Sequence, residues 1–512
     1  MQKKDRIELA AVIDIGSSEL RLKTAQFAKT RIKYLESLTY PLSLGRDTFN
    51  TGKIGFDKVD KACDIIRNFM IIIREYGIEN IRVVATTAVR EAVNMDYFLD
   101  QAKIKTGFSI SVMDDMEEKL YIYKLLTRLL KDEVKNSALM VHIGSGNLGL
   151  SALENGRIQF MQNIKVGSLR ISELFGEIQE YSNEFYIVLE EYLHSFTDML
   201  ETVIPENTKH FIVSGTEVSI ASELIGSVKK GVFKMIPKDK FLDFYNEVKF
   251  KTTERAAADY HIAFEKAELL FPAMCIFHDL LRFTQAERII AAELMLSDAI
   301  LYEMLCPQEF AAINKDFSKS TLLSAMALAK KCDAMESHYK QVENFAVKIF
   351  DKMKKLHGLG HREKLLLQTA AILHDIGKFI NISDHYRHSY DMITGADITG
   401  LNQLETEIAA NLALYHSHWA PSPSDENYKR LNLYNRVLVS KLTAILRLAD
   451  ALDRSHAQKF DEIDVKITGN ELMVTISTDE NIDLEQWSFM VKGAFFEEVF
   501  GIKAVIRKKK VI

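Results

Sequence analysis

The chain has 512 residues, of which 47% are hydrophobic and 27% are charged, and its formal net charge is −6. This length leaves room for three or four domains of ordinary soluble composition, and the acidic balance argues against a dedicated nucleic-acid-binding protein. No apolar segment reaches the roughly 20 residues that span a bilayer, and no signal peptide is expected.

The four cysteines, Cys63, Cys275, Cys306 and Cys332, lie far apart and form no CxxC pair. This spacing indicates neither a zinc ribbon nor a disulfide framework, so we expect a reduced, cytoplasmic protein.

The first element is a strand, a glycine turn and a return strand within residues 10–27. The apolar run at 10–15 indicates a buried strand, and alternation after the turn indicates its antiparallel partner. The turn, residues 14–18 (DIGSS), offers backbone N–H groups and hydroxyls to an anion, and Gly16 allows close approach. The carboxylate of Asp14 can hold a metal ion or position a water. Most turns of this kind bind nothing, so a phosphate site needs further support from the chain.

Helical and strand patterns alternate over the next hundred residues. Apolar residues at helical spacing predict a helix over 56–76. Strands are expected over 81–85 and 108–113, with a helix over about 97–105 between them, and a long amphipathic helix follows Asp114. The order of these elements indicates an α/β unit.

The opening pattern returns at Ala138, where ALMVHIGSGNLGLSAL is again a buried strand, a glycine-rich turn and a return strand. Gly144 corresponds to Gly16, and His142 takes the position of Asp14. A repeated α/β unit predicts two similar lobes whose glycine turns face one cleft.

The rest of the chain divides by composition. Residues 211–216 form a third strand-to-turn sequence that ends in Gly215 and Thr216. From about Lys319 the sequence changes to long helices with frequent histidines, and 460–512 is typical of a strand, strand, helix, strand domain. We therefore expect four domains, with boundaries at 1–130, 131–305, 319–459 and 460–512.

The two glycine-rich hairpins resemble those of the acetate-kinase, sugar-kinase, heat-shock-chaperone and actin superfamily. The sequence between them, TTAVREAVNMDYFLDQAKIKTGFSISVMDDMEEKLYIY, is similar to the exopolyphosphatase/guanosine pentaphosphate phosphohydrolase (Ppx/GppA) family. The similarity extends to about residue 305, and the helical region resembles the long members, whose third domain has the HD phosphohydrolase fold. The resemblance implies an α/β protein with two actin/sugar-kinase-like (ribonuclease H-like) lobes, followed by an all-α HD-type domain and a small α/β C-terminal domain.

The resemblance also implies roles for positions in the cleft between the lobes. Glu118 matches the glutamate that activates the attacking water, and Arg90 matches a phosphate-contacting arginine. Asp14 matches the first phosphate loop and would help to hold Mg²⁺ or Mn²⁺ in an active cleft. On the residues alone, Glu118 is more simply a first-turn carboxylate that the helix dipole favours. The expected phosphate-binding residues are Gly16, Ser17, Gly144, Ser145, Gly146, Gly215 and Thr216.

The second glycine turn departs from the family pattern, which reads like DIGGGSTEL. The corresponding residues 142–150 are HIGSGNLGL, so His142 replaces an aspartate and Gly149 replaces a glutamate. The family's Leu-Arg-Glu-Gly is Leu-Ser-Asp-Ala at 296–299. Two carboxylates that help to hold a hard cation are missing, whereas the backbone N–H groups that bind phosphate remain. The sequence thus favours phosphate binding in the cleft over efficient turnover.

The helical region carries histidines and aspartates in the order that the HD superfamily uses to bind one or two divalent ions. Neighbouring His385 and His418 can replace or supplement two of the expected ligands. Imidazoles and bridging carboxylates suit Mn²⁺, Fe²⁺, Ni²⁺ or Zn²⁺, which lower the pKa of a bound water. A single such histidine is more often a core residue, and only the ordered set predicts a metal site. The expected ligands are His338, His374, Asp375, His388, His416 and Asp450.

Three functions are compatible with these observations. The first is hydrolysis of phosphoric anhydrides in polyphosphate or a guanosine polyphosphate, with Glu118 as the base. The second is an HD-type metal-dependent phosphohydrolase whose cleft between the lobes only senses polyphosphate or nucleotide. The third is a non-catalytic regulator that binds polyphosphate or an alarmone. The resemblance also implies a homodimer, and neither a membrane nor a dedicated nucleic-acid partner is expected.

Overall fold

The computed structural model describes residues 8–28, 31–130, 137–155, 157–181, 185–230 and 232–509. The chain forms two compact units, residues 1–317 and 318–512. The first two segments expected from the sequence lie in the first unit, and the last two lie together in the second.

The N-terminal part of the first unit is built on a five-stranded sheet. Its elements are β1 (Glu8–Ile15), β2 (Glu19–Ala28), β3 (Arg31–Pro41), α1 (Leu44–Thr51), α2 (Phe56–Glu75), β4 (Asn80–Ala85), α3 (Thr87–Arg90), α4 (Met95–Thr106), β5 (Ser111–Val112) and α5 (Asp115–Leu129). The strand order is β3-β2-β1-β4-β5. β1 is antiparallel to β2 and parallel to β4, and this central position explains its continuous apolar sequence. The strand expected over 108–113 is shorter than predicted, because only Ser111 and Val112 pair with β4.

The second part of the first unit is built on a seven-stranded sheet. Its elements begin with β6 (Ser137–Ile143), β7 (Leu148–Glu154), β8 (Arg157–Ile164), α6 (Ser168–Tyr181), α7 (Phe185–Thr197), a 3₁₀ turn (Asp198–Thr202), β9 (His210–Ser214) and α8 (Thr216–Leu224). They continue with β10 (Val228–Lys230), β11 (Phe233–Pro237), α9 (Lys238–Val248), α10 (Thr253–Tyr260), α11 (Phe264–Leu281), β12 (Arg288–Ala292) and α12 (Leu296–Leu305). The next helix, α13 (Pro307–Lys331), begins in the first unit and ends in the second.

The two sheets repeat one local pattern. The second sheet has the order β10-β11-β12-β9-β6-β7-β8. β6 is antiparallel to β7 and parallel to β9, just as β1 is antiparallel to β2 and parallel to β4. Each lobe therefore places its glycine turn at the carboxyl end of its central strand, the edge at which open α/β sheets bind ligands.

The second unit is helical and ends in a three-stranded sheet. Its further elements are α14 (Glu336–Lys352), α15 (Lys354–His357), α16 (His361–Leu373), a 3₁₀ turn (Ile376–Phe379), α17 (His385–Thr394), α18 (Gln403–Tyr415), α19 (Glu426–Arg430), α20 (Leu433–Ala451), β13 (Ile463–Thr468), β14 (Glu471–Ser477), α21 (Asp483–Phe500) and β15 (Lys503–Lys509). β14 pairs with β13 antiparallel and with β15 parallel. One hydrophobic core joins the helices to this sheet, because it contains residues of both, such as Leu446 and Val474.

Within the described part of the chain, no helix is both long enough and apolar enough to cross a membrane.

Candidate phosphate-binding cleft and metal centre

The two glycine turns of the first unit lie against each other. Oγ of Ser18, in the turn after β1, is 2.8 Å from Oγ of Ser145, in the turn after β6. The N–H groups of Gly16 and Gly144 close their turns by donating to the carbonyl three residues on, at 3.0 and 2.9 Å. Because these two donors are already used, any amide that binds a ligand must come from later residues of each turn.

A cavity of about 530 Å³ is lined by both turns, and we call it the glycine-turn cavity. An added Cβ on Gly215, whose φ is 136°, would lie 2.4 Å from the carbonyl oxygen of Ile143, so only glycine fits where β9 meets β6. Of the residues expected in the cleft, Arg90 alone does not line the cavity. The others all do: Asp14, Gly16, Ser17, Glu118, Gly144, Ser145, Gly146, Gly215 and Thr216.

Glu118 is held in this cavity by the start of α5. The side chain of Asp114 accepts a hydrogen bond from the N–H of Glu117 at 2.8 Å, which fixes the first turn of the helix. Oε1 of Glu118 is 3.0 Å from Nζ of Lys119. Oε2 is buried and has no hydrogen-bond partner among the described residues. Since a buried carboxylate oxygen without a donor is costly, this atom marks a place for a water or a ligand group.

The structure places Arg90 beside the cavity rather than in its wall. Its guanidinium forms an ion pair with Asp115 and donates to Oγ1 of Thr87 at 3.1 Å. Asn147, in the second turn, also donates to Asp115. The carboxylate of Asp115 therefore occupies the fork that was expected to bind phosphate, and the role assigned to Arg90 stays a prediction.

Other cations that the sequence pattern does not indicate as ligands line the cavity. They include Arg21, which donates to Oγ1 of Thr216 at 2.9 Å, and the buried Lys119. Alternation in β2 was a usable signal for Arg21, because Leu20 and Leu22 are fully buried on the opposite face. No comparable pattern points to Lys119, which follows Glu118 directly in a helix.

The donor set of the glycine-turn cavity does not fit a divalent metal ion. Burial raises the pKa of Asp14 to about 6. Burial also lowers the pKa of His142 well below its usual value, and Nδ1 of this neutral ring is 2.9 Å from Oγ of Ser214. Gly149 supplies no donor, and Glu118 is already paired with Lys119. Among the described residues, every group of histidine, cysteine and carboxylate atoms that is close enough to bind a metal lies in the second unit.

Asp298, at the position of the family's glutamate near the end of this region, has a structural role. One of its oxygens accepts from the N–H of Met295 at 2.7 Å and so caps the start of α12. Its carboxylate is also 2.6 Å from Nζ of Lys23. Lys23 neutralises this carboxylate and the N–H of Met295 occupies one of its oxygens, so it is not available to a cation.

The second unit contains a cluster of buried imidazoles and carboxylates, which we call the histidine–aspartate cluster. Nε2 of His338 is 3.3 Å from Nε2 of His374, and Nε2 of His385 is 3.4 Å from Nε2 of His416. Four ring nitrogens thus converge in an interior from which water is largely excluded. The members of the cluster are His338, His374, Asp375, His385, His416 and Asp450.

Asp375 lies between the two histidine pairs. Its Oδ2 is 3.6 Å from Nε2 of His338 and 3.5 Å from Nε2 of His374. Its Oδ1 is 3.4 Å from Nε2 of His385 and 3.6 Å from Nε2 of His416. A carboxylate placed in this way can bridge two metal ions.

Hydrogen bonds on the outer nitrogens orient these rings. Nδ1 of His374 is 2.8 Å from the carbonyl oxygen of Ala371, and Nδ1 of His385 and His416 contact backbone carbonyls in the same way at 2.9 and 2.6 Å. A proton on Nδ1 leaves the lone pair of Nε2 directed inward, as metal-binding histidines require. Burial lowers the pKa of His374 to about 3, so this ring is neutral and able to bind a metal.

His338 and Asp450 complete the cluster from α14 and α20. Burial opposes the charged form of His338, but Asp450 and Asp453 outweigh it and raise its pKa to about 9, so metal binding must displace a proton from this ring. Asp450 forms a buried ion pair with Lys492 of α21. The residues present therefore fit a divalent transition metal, with Asp375 shared and Asp450 on the side of His338 and His374.

One expected ligand lies outside this cluster, and three neighbours were not expected. His388 is partly exposed and contributes no atom to the metal-capable groups found among the described residues. His385, three residues earlier at the start of α17, is not in those groups either, but its Nε2 lies 3.4 Å from Oδ1 of Asp375. His456 stacks on His338 with ring centroids 3.6 Å apart and forms a further metal-capable group with His338 and Asp375. Asp453 contacts Nδ1 of His338, and Lys492 pairs with Asp450.

Comparisons with known proteins agree with these two parts of the chain. A family model described as "Ppx/GppA phosphatase family" matches residues 23–307, and one described as "Ppx/GppA phosphatase, domain III" matches residues 322–488. The chain is 20% identical over 488 residues to a guanosine-5'-triphosphate,3'-diphosphate pyrophosphatase of Photobacterium profundum, and the alignment covers 93% of each chain. A protein of the same name from Vibrio vulnificus is 21% identical over 489 residues, again with 93% of each chain covered.

Solved structures with the same fold cover the first unit. An exopolyphosphatase of Cytophaga hutchinsonii is 18% identical and superposes with a TM-score of 0.53 over 58% of this chain and 98% of its own. The Ppx/GppA family member of Aquifex aeolicus is 19% identical and superposes with a TM-score of 0.51 over 59% of this chain and 99% of its own. These similarities show the mixed α/β, actin-like fold of the first unit. The match of the family model to more than half of the chain shows that this protein belongs to the Ppx/GppA phosphatase family, a family of hydrolases.

Proposed function

We propose that this protein hydrolyses phosphoric anhydride bonds of polyphosphate or guanosine pentaphosphate, and that the phosphate chain binds in the glycine-turn cavity. The names of the relatives support this class of substrate. The observation that carries the proposal is the unpartnered, buried Oε2 of Glu118 in a cavity that is also lined by Ser17 and Ser145. A base and a set of anion-binding turns in one cavity are the parts that anhydride hydrolysis needs.

In this proposal Glu118 receives a proton from the attacking water through Oε2. The water oxygen forms a bond to phosphorus, the anhydride P–O bond breaks, and the shortened chain leaves with the electron pair. The ion pair of Oε1 with Lys119 fixes the carboxylate, because Lys119 is only 1% exposed. Backbone N–H groups and hydroxyls of the two turns bind the phosphate oxygens, and Arg21 adds a positive charge to the lining.

The histidine–aspartate cluster carries a second candidate function, a metal-dependent phosphohydrolase. Four inward-facing Nε2 atoms around the shared carboxylate of Asp375 favour this candidate. A bound transition metal would supply Lewis-acid activation of water and of a phosphoryl oxygen. A pocket of about 360 Å³ that is lined by His338, Asp375, Lys378 and His456 gives a substrate access to one side of the cluster. Lys378, paired with Asp375 at the pocket, offers a cation to a substrate phosphate.

Two variants of the full-length chain separate these candidates. Phosphate release from polyphosphate and from guanosine pentaphosphate is measured for wild type, Glu118→Gln and Asp375→Ala. The proposal expects Glu118→Gln to lower kcat by about 10²- to 10⁴-fold with little change in KM, because only the base is removed. Glu117→Gln is the matched control, since this neighbour does not line the cavity.

Two other outcomes of this assay would contradict hydrolysis in the glycine-turn cavity. If Glu118→Gln leaves turnover unchanged while Asp375→Ala abolishes it, hydrolysis belongs to the histidine–aspartate cluster and the first proposal is wrong. If wild type consumes neither substrate but binds both, the protein is a phosphate-chain sensor rather than a hydrolase of these compounds.

A further inference from the structure

The buried ammonium of Lys119 lies in the wall of the glycine-turn cavity. Its Nζ is 3.0 Å from Oε1 of Glu118 and 3.5 Å from the point where a Cβ on Gly144 would stand. The side chain of Lys119 is 2% exposed, and the residue lines the cavity together with both glycine turns. A positive charge is therefore built into the wall, next to the proposed base and next to the second phosphate-binding turn.

The space for this lysine depends on a missing side chain. An added Cβ on Gly149 would lie 2.8 Å from Cγ and 2.8 Å from Cδ of Lys119, and 2.8 Å from the hydroxyl of Tyr123. Any side chain at position 149 would therefore be sterically incompatible with the observed conformation of Lys119. Position 149 therefore supplies no carboxylate to the cavity, and Lys119 occupies the space that a side chain there would need.

Position 142 likewise carries an uncharged group instead of a carboxylate. His142 is buried and contacts Ser214 through Nδ1, while its Nε2 is 3.9 Å from Oε1 of Glu118. An aspartate at this position would add a negative charge to the environment of Glu118, and a neutral imidazole does not. A divalent cation would meet fewer carboxylates here and would be repelled by the nearby ammonium.

We propose that Lys119 is the resident cation of the glycine-turn cavity, and that this cavity binds phosphate chains without a divalent metal ion. The inference rests on the proposed binding of phosphate in this cavity, but not on its hydrolysis there. Lys119 neutralises Glu118 when no ligand is bound. It donates a charge-assisted hydrogen bond to a phosphate oxygen when the chain binds over Gly144.

The test is the affinity of the full-length protein for inorganic tripolyphosphate, measured by calorimetry. Asp375→Ala serves as the background, because it removes the shared carboxylate of the histidine–aspartate cluster and so limits metal-assisted binding at that second site. We expect tripolyphosphate to bind in EDTA, in the absence of any free divalent ion, since the cation is part of the chain. Binding that is lost in EDTA and restored by Mg²⁺ overturns the inference, and this comparison needs no change in the cavity.

Two further variants test the lysine itself. Lys119→Met is expected to weaken tripolyphosphate binding by about tenfold or more in both conditions, because one charge-assisted contact is lost. Lys124→Met is the matched control, a buried lysine of the same helix that does not line the cavity. Equal affinity of Lys119→Met and the control contradicts the proposed contact.

The triple variant Lys119→Met, His142→Asp, Gly149→Glu exchanges the resident cation for two carboxylates. We expect it to bind tripolyphosphate only when Mg²⁺ is present, and binding that ignores Mg²⁺ counts against the inference. Failure of the proposed hydrolysis is recognisable separately, because metal-independent binding without phosphate release supports this inference while it contradicts the catalytic proposal. If tripolyphosphate does not bind under any condition, this inference is wrong, and so is hydrolysis of polyphosphate in this cavity.

Discussion

Nδ1 of His338 lies 2.7 Å from Oδ2 of Asp453, which stands three residues after Asp450 on the same chain segment. This contact turns Nε2 of His338 toward the histidine–aspartate cluster, so Asp453 orients a ligand without belonging to the ligand set. Partners of this kind raise the basicity of the imidazole and fix its tautomer. Asp453 is 2% exposed and also accepts from the backbone N–H of Gln458 at 2.9 Å, so its own position is well fixed.

We expect Asp453→Asn to weaken transition-metal binding by about 10- to 100-fold, because the amide no longer accepts the Nδ1 proton as strongly. The measurement is competition with a chelator of known affinity, followed by metal analysis. Asp464→Asn, a half-exposed aspartate of β13, is the control and should bind metal as wild type does. A similar loss in both variants would argue against a specific role for Asp453.

We expect purified wild type to hold two metal ions per chain, because Asp375 presents one oxygen to each histidine pair. Asp375→Ala should lower this number below one, whereas Asp450→Asn should affect mainly the ion at His338 and His374. Plasma emission analysis of dialysed protein provides the count. The control is Asp391→Ala, an exposed aspartate of α17, and two ions retained by Asp375→Ala would contradict a shared carboxylate.

Two glycine substitutions should have opposite effects on stability. Gly149→Ala places a methyl group 2.8 Å from Lys119 and Tyr123, and we expect it to lower the free energy of unfolding by about 1–3 kcal/mol through overpacking. Gly493→Ala lies within α21, where the added methyl meets nothing closer than 3.8 Å. Because alanine has a higher helix propensity than glycine, we expect this substitution to raise the free energy of unfolding by about 0.5–1 kcal/mol. Chemical denaturation of both variants checks the pair.

The carboxyl of Asp14 should make stability depend on pH. Burial raises its pKa to about 6 from 3.8; Arg21 and Lys23 oppose this rise, and Glu118 and Asp298 add to it. Since the folded state holds the proton more tightly than the unfolded state, the buried carboxylate destabilises the fold above about pH 6, and this cost disappears as the pH falls toward 4. A rise of about two pKa units corresponds to ~3 kcal/mol.

Asp14→Asn removes this cost, so the variant should be more stable than wild type at pH 8 and equal to it near pH 4. Denaturant titrations at several pH values measure the difference. Asp96→Asn, at the start of α4, is the control and should show no such pH dependence. A constant difference between Asp14→Asn and wild type at all pH values would contradict the assigned pKa.

Much of the fold follows from the local pattern of the sequence. The strand–turn–strand sequences around Gly16 and Gly144 are readable because buried central strands are continuously apolar and their turns need glycine. The expected strand over 108–113 was too long, since alternation does not reveal how many residues find a partner across the sheet. Only Ser111 and Val112 reach β4, because the chain then turns into α5.

The side chains that reach the two candidate sites are only partly predictable from the sequence. His385 and His388 stand one helical turn apart, so spacing alone cannot decide which ring reaches the cluster. The decision depends on where α17 begins, and it begins at His385. The sequence around Lys119 does not indicate that its side chain lines the cavity. The conformation of Lys119 depends on the absence of a side chain at Gly149, far away in the sequence. Arg90 shows the same limit, because sequence alone does not reveal that its guanidinium pairs with Asp115.

Lys492 has a practical consequence for work on this protein. Lys492 lies in α21, within the last fifty residues of the sequence, and it pairs with Asp450. By sequence alone, these last residues are typical of a separate C-terminal domain. An expression fragment that stops at residue 459 would remove the ammonium that pairs with this buried aspartate, and breaking a buried ion pair by removing one partner is strongly destabilising. The shortest soluble fragment that retains the metal-binding residues should therefore extend through β15.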